Sequence, residues 1–343
     1  MLSQPRSAGR DQAAQPLIPT KVRKSAPIVS IGLYVHNGEP FLEQTLVSIL
    51  AQTFADFELI ISDNASTDRT AEIAQAYAAR DPRIRYYRAE HNMGGGWNMR
   101  RVLVLATGKY FKWAAADDVL MPDFLRRCVD VLDGDPGCVL AHTQTTVIDE
   151  NSAPVSNYVT PVKANSSDPV ARFRVMLLIP SWCYEIFGVM RMAALKQVPP
   201  PGSYVNSDGV LLAQMALLGR FYEVPEYLFR NRHHSARSAV VLPVRVTQPR
   251  FRLTRRYSTL PSPEWWDPAK TRAVTFPEWR QLREYFLSVH RAPLTHVQKL
   301  RCYFMLLPWT KIHLRPLLKD CLIAADQLLY NWQAARRPAP HDR

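Results

Sequence analysis

The chain has 343 residues, of which 47% are apolar and 10% aromatic, and its formal net charge is +13. This is the composition of a globular protein with a sizeable core, and it excludes wholesale disorder. No apolar run approaches the roughly 20 residues of a membrane span, no secretory signal is visible, and the five cysteines form no C-x-x-C pair, so a reducing compartment is expected, without a disulfide framework or zinc site.

Residues 1–26 are rich in Gln, Ala, Pro, Ser and Arg without periodicity and read as a disordered lead. Ile28 to Val35 is apolar and β-branched, hence a strand, and Asn37 to Pro40 is a turn. Phe41, Leu42, Thr45, Leu46, Ile49 and Leu50 recur at helical spacing. Phe57 to Ile61 is a second strand ending at Ser62-Asp63-Asn64, and Ser66 or Thr67 can cap a helix that stops at Asp81-Pro82. Ile84 to Tyr87 is a third strand. A Gly94-Gly95-Gly96 loop, a helix and a fourth strand, Tyr110 to Ala114, lead to Asp117-Asp118. Four strand–helix alternations call for an α/β fold with a parallel sheet and helices on both faces. In such sheets ligands lie beyond the carboxyl ends of the strands. Tyr34, His36, Asp63, Asn64, Asp117 and Asp118 should therefore share one rim.

Beyond Asp118 the pattern is less regular. Pro122 to Leu132, Arg172 to Leu178 and Asp208 to Leu218 read as helices. Cys138 to His142, Ile186 to Met190 and Arg220 to Val224 read as strands, and Asn151 to Ser167 as loop. Residues 241–275 form a Pro- and Arg-rich connector, and 276–335 hold two or three amphipathic helices. The charge excess is confined to the end of the chain: residues 230–343 carry 21 Lys and Arg against 7 Asp and Glu. A near-neutral body with a basic end suits a polyanionic neighbour or a solvated basic surface.

Several residues could do chemistry. Asp117-Asp118 places adjacent carboxylates at a strand end, which suits a hard divalent cation or a polar turn. Asp63-Asn64 could accept hydrogen bonds from a base or sugar, or form a turn and helix cap. The glycine run lacks the Lys-Ser/Thr of a P-loop. His233-His234, flanked by arginines, could meet metal or pyrophosphate, or be solvated.

The order of these motifs resembles the family 2 glycosyltransferases of the GT-A type over residues 27–240, with halves at 27–125 and 126–240. The resemblance is carried by His36-Asn37, Ser48 to Thr53, Glu58, Ser62 to Thr70, Asn92-Met93-Gly94-Gly95, Asn98, Thr107 to Tyr110, and Asp117-Asp118 followed by Pro122. It implies a nucleotide-diphosphate-sugar donor, a Rossmann-like sheet and Mg²⁺ or Mn²⁺. Tyr34, His36, Asn37, Asp63, Asn92, Asn98 and Asp117 would bind the donor, Asp63 at its base. Asp118 would hold the metal, with His234 beside it, Asp208 would be the catalytic base, and Arg232 and Arg237 would lie on the acceptor or phosphate side. His36 replaces the usual tyrosine, and Ser207 replaces the glutamate that usually precedes the base. The processive-synthase Gln-x-x-Arg-Trp motif is missing, since Cys302 follows Arg301. The expected activity is inverting sugar transfer to a saccharide or lipid-linked acceptor in cell-surface polysaccharide or glycolipid synthesis. The expected place is the cytoplasm, at the inner membrane face through contact with anionic lipid, and nucleic acid is not an expected partner. The alternatives are a sugar-phosphate nucleotidylyltransferase and a non-catalytic nucleotide- or polyanion-binding relative.

Overall fold

The computed structural model describes residues 25–235, 263–270 and 274–335. Arg237 and most of the expected lead and of the expected connector lie outside them.

Strand β1 (Val29–Val35) is buried along almost its whole length, and β2 (Phe57–Asp63) along all of it. Strands covered on both faces carry near-continuous apolar runs, as these do. β1 pairs in parallel with β2 and with β4 (Tyr110–Ala114), and β2 with β3 (Ile84–Arg88). The register sets Val35 opposite Asp63, so the carboxyl ends of β1 and β2 coincide. Helices α1 (Glu39–Leu50), α2 (Thr70–Arg80) and α4 (Phe124–Gly134) pack on one face, and α3 (Gly95–Val104) on the other. A Cβ on Gly32 would lie 2.7 Å from Val102 and 2.8 Å from Phe111, so α3 can seat on β1 only over a glycine.

The sheet continues through β8 (Val189–Arg191), β6 (Cys138–Ile148) and β9 (Arg220–Arg232) to the two-residue β5 (Val119–Leu120). β6 and β9 run parallel, whereas β8 joins β4 and β6 antiparallel. The β9–β5 pairing sets Arg230 opposite Val119 and carries the end of β9 to Asp117-Asp118.

The structure departs from the sequence expectation at several places. β6 and β9 are about twice as long as expected, because their outer halves carry Thr, Gln, Tyr, Glu and Arg rather than an apolar run. β7 (Pro154–Tyr158) lies within the expected loop, as an exposed edge strand with no apolar signal. Tyr184–Phe187 is a 3₁₀ turn, and the strand there starts only at Val189. Neither Ser66 nor Thr67 caps α2: Ser66 Oγ accepts instead from the Asn37 backbone N–H at 2.9 Å, and the helix begins at Thr70. Within the expected connector, α8 (Pro263–Trp266) and a 3₁₀ turn (Pro268–Lys270) are ordered turns of helix.

A third cluster joins α5 (Pro169–Leu178) and α7 (Ser207–Leu218) to the C-terminal helices α9 (Pro277–Arg291) and α10 (His296–Ile312) through Phe173, Tyr285 and Trp309. The last helix, α11 (Leu314–Ala335), is tied to α9 where Trp279 Nε1 donates to the Leu317 carbonyl at 3.0 Å.

Candidate active site

Asp117 and Asp118 follow β4 at the rim. Asp118 is buried, and its Oδ1 accepts from the Arg232 backbone N–H and from Asn231 Nδ2, both at 3.0 Å. Its Oδ2 is buried with no hydrogen-bond partner. Burial first, then the neighbouring Asp117, push the Asp118 carboxyl well above the usual range, opposed by the Arg232 N–H, Lys112 and Asn231. An orphaned buried oxygen beside a second carboxylate is chemically incomplete and suits a hard divalent cation. Among the described residues no three His, Cys, Asp or Glu side chains converge as a metal site. That still fits Mg²⁺ or Mn²⁺, which typically binds one or two carboxylates and takes its other ligands from water and phosphate. His234, two residues beyond β9, lies with its Nε2 3.0 Å from Asp117 Oδ2.

Tyr34 stands near the end of β1. Burial first, then the carboxylates of Asp117, Asp118 and Asp208, push its phenol upward. Asp208 stands in the first turn of α7, and its Oδ1 accepts from the Gly209 N–H at 2.9 Å. Burial raises its pKa, with that N–H opposing. A carboxylate raised in this way is a better proton acceptor than a solvated one.

The expected donor-binding residues divide into two groups. His36 and Asn92 are exposed at the mouth, 3.3 Å apart between Nε2 and Nδ2. His36 Nδ1 lies 3.0 Å from the Asn64 carbonyl, and Asn64 Nδ2 donates to Asn92 Oδ1 at 2.8 Å, so these three residues form one wall. Asp63 and Asn98 face inward. Asp63 is fully buried, with Oδ1 accepting from the Ser66 N–H and Oδ2 from the Tyr86 hydroxyl, both at 2.8 Å. The structure thus gives Asp63 the work of holding the 63–66 turn. Asn98 is buried too: its Nδ2 donates to the carbonyls of Val35 and Ser62, fastening β1 to β2. Asn37 Oδ1 accepts from the Thr67 N–H at 2.9 Å and shapes the same loop.

Arg232 likewise makes its hydrogen bonds within the protein. Its side chain is buried, with Nε donating to the Asp117 carbonyl at 2.9 Å, Nη1 to the Asp149 carbonyl at 2.9 Å and Nη2 to Gln44 Oε1 at 2.5 Å. The guanidinium also lies over the Phe41 ring, 4.7 Å from its centroid. The glycine run is not an open cradle either. Gly94 has φ +87°, and Cβ atoms on Gly94 and Gly95 would meet the Trp266 carbonyl at 2.5 Å and the Trp265 ring at 2.7 Å, so these glycines admit α8.

One residue beneath the site escaped the sequence reading. Lys112, inside β4, is buried, and its Nζ donates to the carbonyls of Phe187 at 2.6 Å and Trp113 at 3.1 Å. The rings of Phe124 and Phe229 lie 4.8 and 5.5 Å from it. Burial lowers its pKa to about 8, opposed by Asp118. The available signal was a single lysine in the otherwise apolar run Tyr110-Phe111-Lys112-Trp113-Ala114.

On the far side of Asp117, a cleft of about 570 Å³ is lined by Asp149, Glu150, Asn151, Trp182, His233, His234 and Ser235. The Trp182 side chain is 63% exposed there.

The sequence model of one family, described as glycosyl transferase family 2, matches residues 30–193. The chain carries a family 2 glycosyltransferase domain. Chondroitin synthase of Escherichia coli is 32% identical over 39% of this chain and 19% of its own length. The putative teichuronic acid biosynthesis glycosyltransferase TuaG of Bacillus subtilis is 28% identical over 39% of this chain and 52% of its own. The chain thus spans about half or less of the length of these relatives. Among solved structures, S. aureus TarS 1–349 in complex with UDP-GlcNAc is 17% identical with a TM-score of 0.56, covering 79% of this chain and 69% of that one. The same protein with UDP gives 0.54 at 16% identity, over 79% and 68%. That likeness establishes the GT-A fold.

Proposed function

We propose that this chain transfers a sugar, with inversion, from a nucleotide-diphosphate sugar to a hydroxyl of a saccharide or lipid-linked acceptor. The observation that carries this reading is the Asp118 carboxylate beyond β4, held at Oδ1 by the Arg232 N–H and left buried without a partner at Oδ2, beside Asp117. That pair suits the departing diphosphate, and Asp208, in the first turn of α7, suits the attacking hydroxyl. His36, Asn64 and Asn92 hold the base, and the buried Asp63 and Asn98 keep that wall in place. Asp117 and Asp118, with His234 beside them, would hold a divalent cation, which would supply positive charge to the departing diphosphate. Asp208, held at α7, takes the proton of the acceptor hydroxyl. The acceptor comes through the cleft beside His234, where Asp149, Glu150 and Asn151 suit sugar hydroxyls. The relatives named for chondroitin and teichuronic acid synthesis support a polysaccharide product.

The test is Asp208→Asn under saturating donor and Mn²⁺. Loss of nucleoside diphosphate release, with donor affinity unchanged, supports the assignment. Undiminished release removes it.

A further inference from the structure

The last two helices leave long apolar stripes uncovered. On α10, Val297, Leu300, Phe304 and Leu307 are 55–68% exposed. Their spacing of three and four puts them on one face, while Cys302, Leu306 and Trp309 turn inward. On α11, Leu314, Leu318, Leu322, Leu328, Leu329 and Trp332 are 46–58% exposed. They form a stripe about 27 Å long at the helical rise per residue. Isolated exposed leucines are ordinary, but contiguous stripes of this length mark an interaction surface.

The charge around the stripes identifies the partner. Residues 277–335 hold eight Lys and Arg and four Asp and Glu. None of the four acids is exposed: Asp320 and Asp326 are buried on the inner side of α11, and Glu278 and Glu284 are largely covered. Arg280, Arg283, Arg291, Arg301, Lys311 and Arg315 are exposed. We propose that the outer faces of α10 and α11 seat this protein on an anionic lipid bilayer. The leucines and Trp332 enter the acyl boundary, and Lys311 and Arg315, at the α10–α11 junction, meet lipid phosphates and carboxylates. Among the described residues no helix is long and apolar enough to cross a membrane, so the helices lie in the interface. A second copy of the chain is a poorer occupant. A symmetric contact would bring this cationic surface against itself, with no exposed acid to pair with it.

The test is co-sedimentation of the full chain with vesicles of phosphatidylcholine alone and with phosphatidylglycerol added, at low and high salt. Binding should require phosphatidylglycerol and weaken with salt. Leu318→Asp with Leu322→Asp, both at exposed positions, should abolish binding with an unchanged circular dichroism spectrum. Lys311→Gln and Arg315→Gln should each weaken partitioning about fivefold. No binding, or binding indifferent to lipid charge and salt, overturns the proposal. So does a dimer in analytical ultracentrifugation that Leu318→Asp dissociates, which assigns the stripe to a second copy. These readouts need no turnover, so their failure is distinct from a failure of the catalytic reading.

Discussion

The Arg232 backbone N–H donates to Asp118 Oδ1 at 3.0 Å, across 114 positions of sequence. One oxygen of the carboxylate is thereby fixed by the end of β9, and the other is left buried without a partner. The sheet builds this asymmetry, because the pairing of Val119 with Arg230 brings the end of β9 alongside Asp117-Asp118. A carboxylate held so firmly at one oxygen is pre-organised for a cation at the other.

Asp118→Ala should therefore remove metal-dependent turnover, by about 10²–10³-fold for the loss of one electrostatic stabiliser, while the circular dichroism spectrum stays native. A chelator should abolish wild-type turnover, and added Mn²⁺ should restore it. Turnover indifferent to chelator would contradict the assignment.

Asp208→Asn should lower kcat by about 10²–10⁴-fold, the usual contribution of a general base, with little change in donor affinity. Burial raises the Asp208 carboxyl above the ordinary aspartate value. The base works only when ionised, so the rate should fall as the pH drops through that raised value. A pH–rate profile should show its acid limb displaced upward, and Asp208→Asn should erase that limb.

Asp63→Ala should act through the turn and not through a lost ligand contact. The Ser66 N–H and the Tyr86 hydroxyl would lose their acceptors, at a cost of about 1–3 kcal/mol each where they stay buried and unpaired. Melting should shift downward, and donor affinity should weaken more than turnover of the bound donor, because Asn64 and the base wall move with the turn. Calorimetric titration with donor, beside thermal melting, checks both.

Lys112→Met should stabilise the fold at neutral pH and remove a pH dependence. The ammonium titrates at about 8 in the folded protein against 10.5 when free, so between these values the unfolded chain binds more protons. Stability should accordingly rise as the pH climbs from about 8 towards 10.5, and the methionine variant should show no such rise. Denaturant unfolding across that window measures it.

How much of this was legible in the sequence depended on local signal. The first four strands and their helices announce themselves because both faces of the sheet are covered, leaving apolar runs bounded by polar turns. β7 could not be found, since Pro154 to Tyr158 buries almost nothing and is held only by pairing with β6. The site residues show a similar divide. The positions of Asp118 after a strand and of Asp208 at a helix start were legible from local pattern, and the roles expected of them came from the family resemblance. For Asp63, Asn98 and Arg232 only the fold shows the hydrogen bonds their polar atoms make with neighbouring backbone and side chains. Lys112 went unremarked because no linear pattern separates a lysine boxed by aromatic rings from one at a strand edge.

The most direct test of the account is to incubate the purified chain with a panel of nucleotide sugars, Mn²⁺ and saccharide or lipid-linked acceptors, and to measure nucleoside diphosphate release alongside the anomeric configuration of the product. The account predicts acceptor-dependent release with at least one donor, an inverted linkage, and loss of both in Asp118→Ala and Asp208→Asn. Pyrophosphate exchange in place of nucleoside diphosphate release, a retained linkage, or release undiminished in either variant would contradict it.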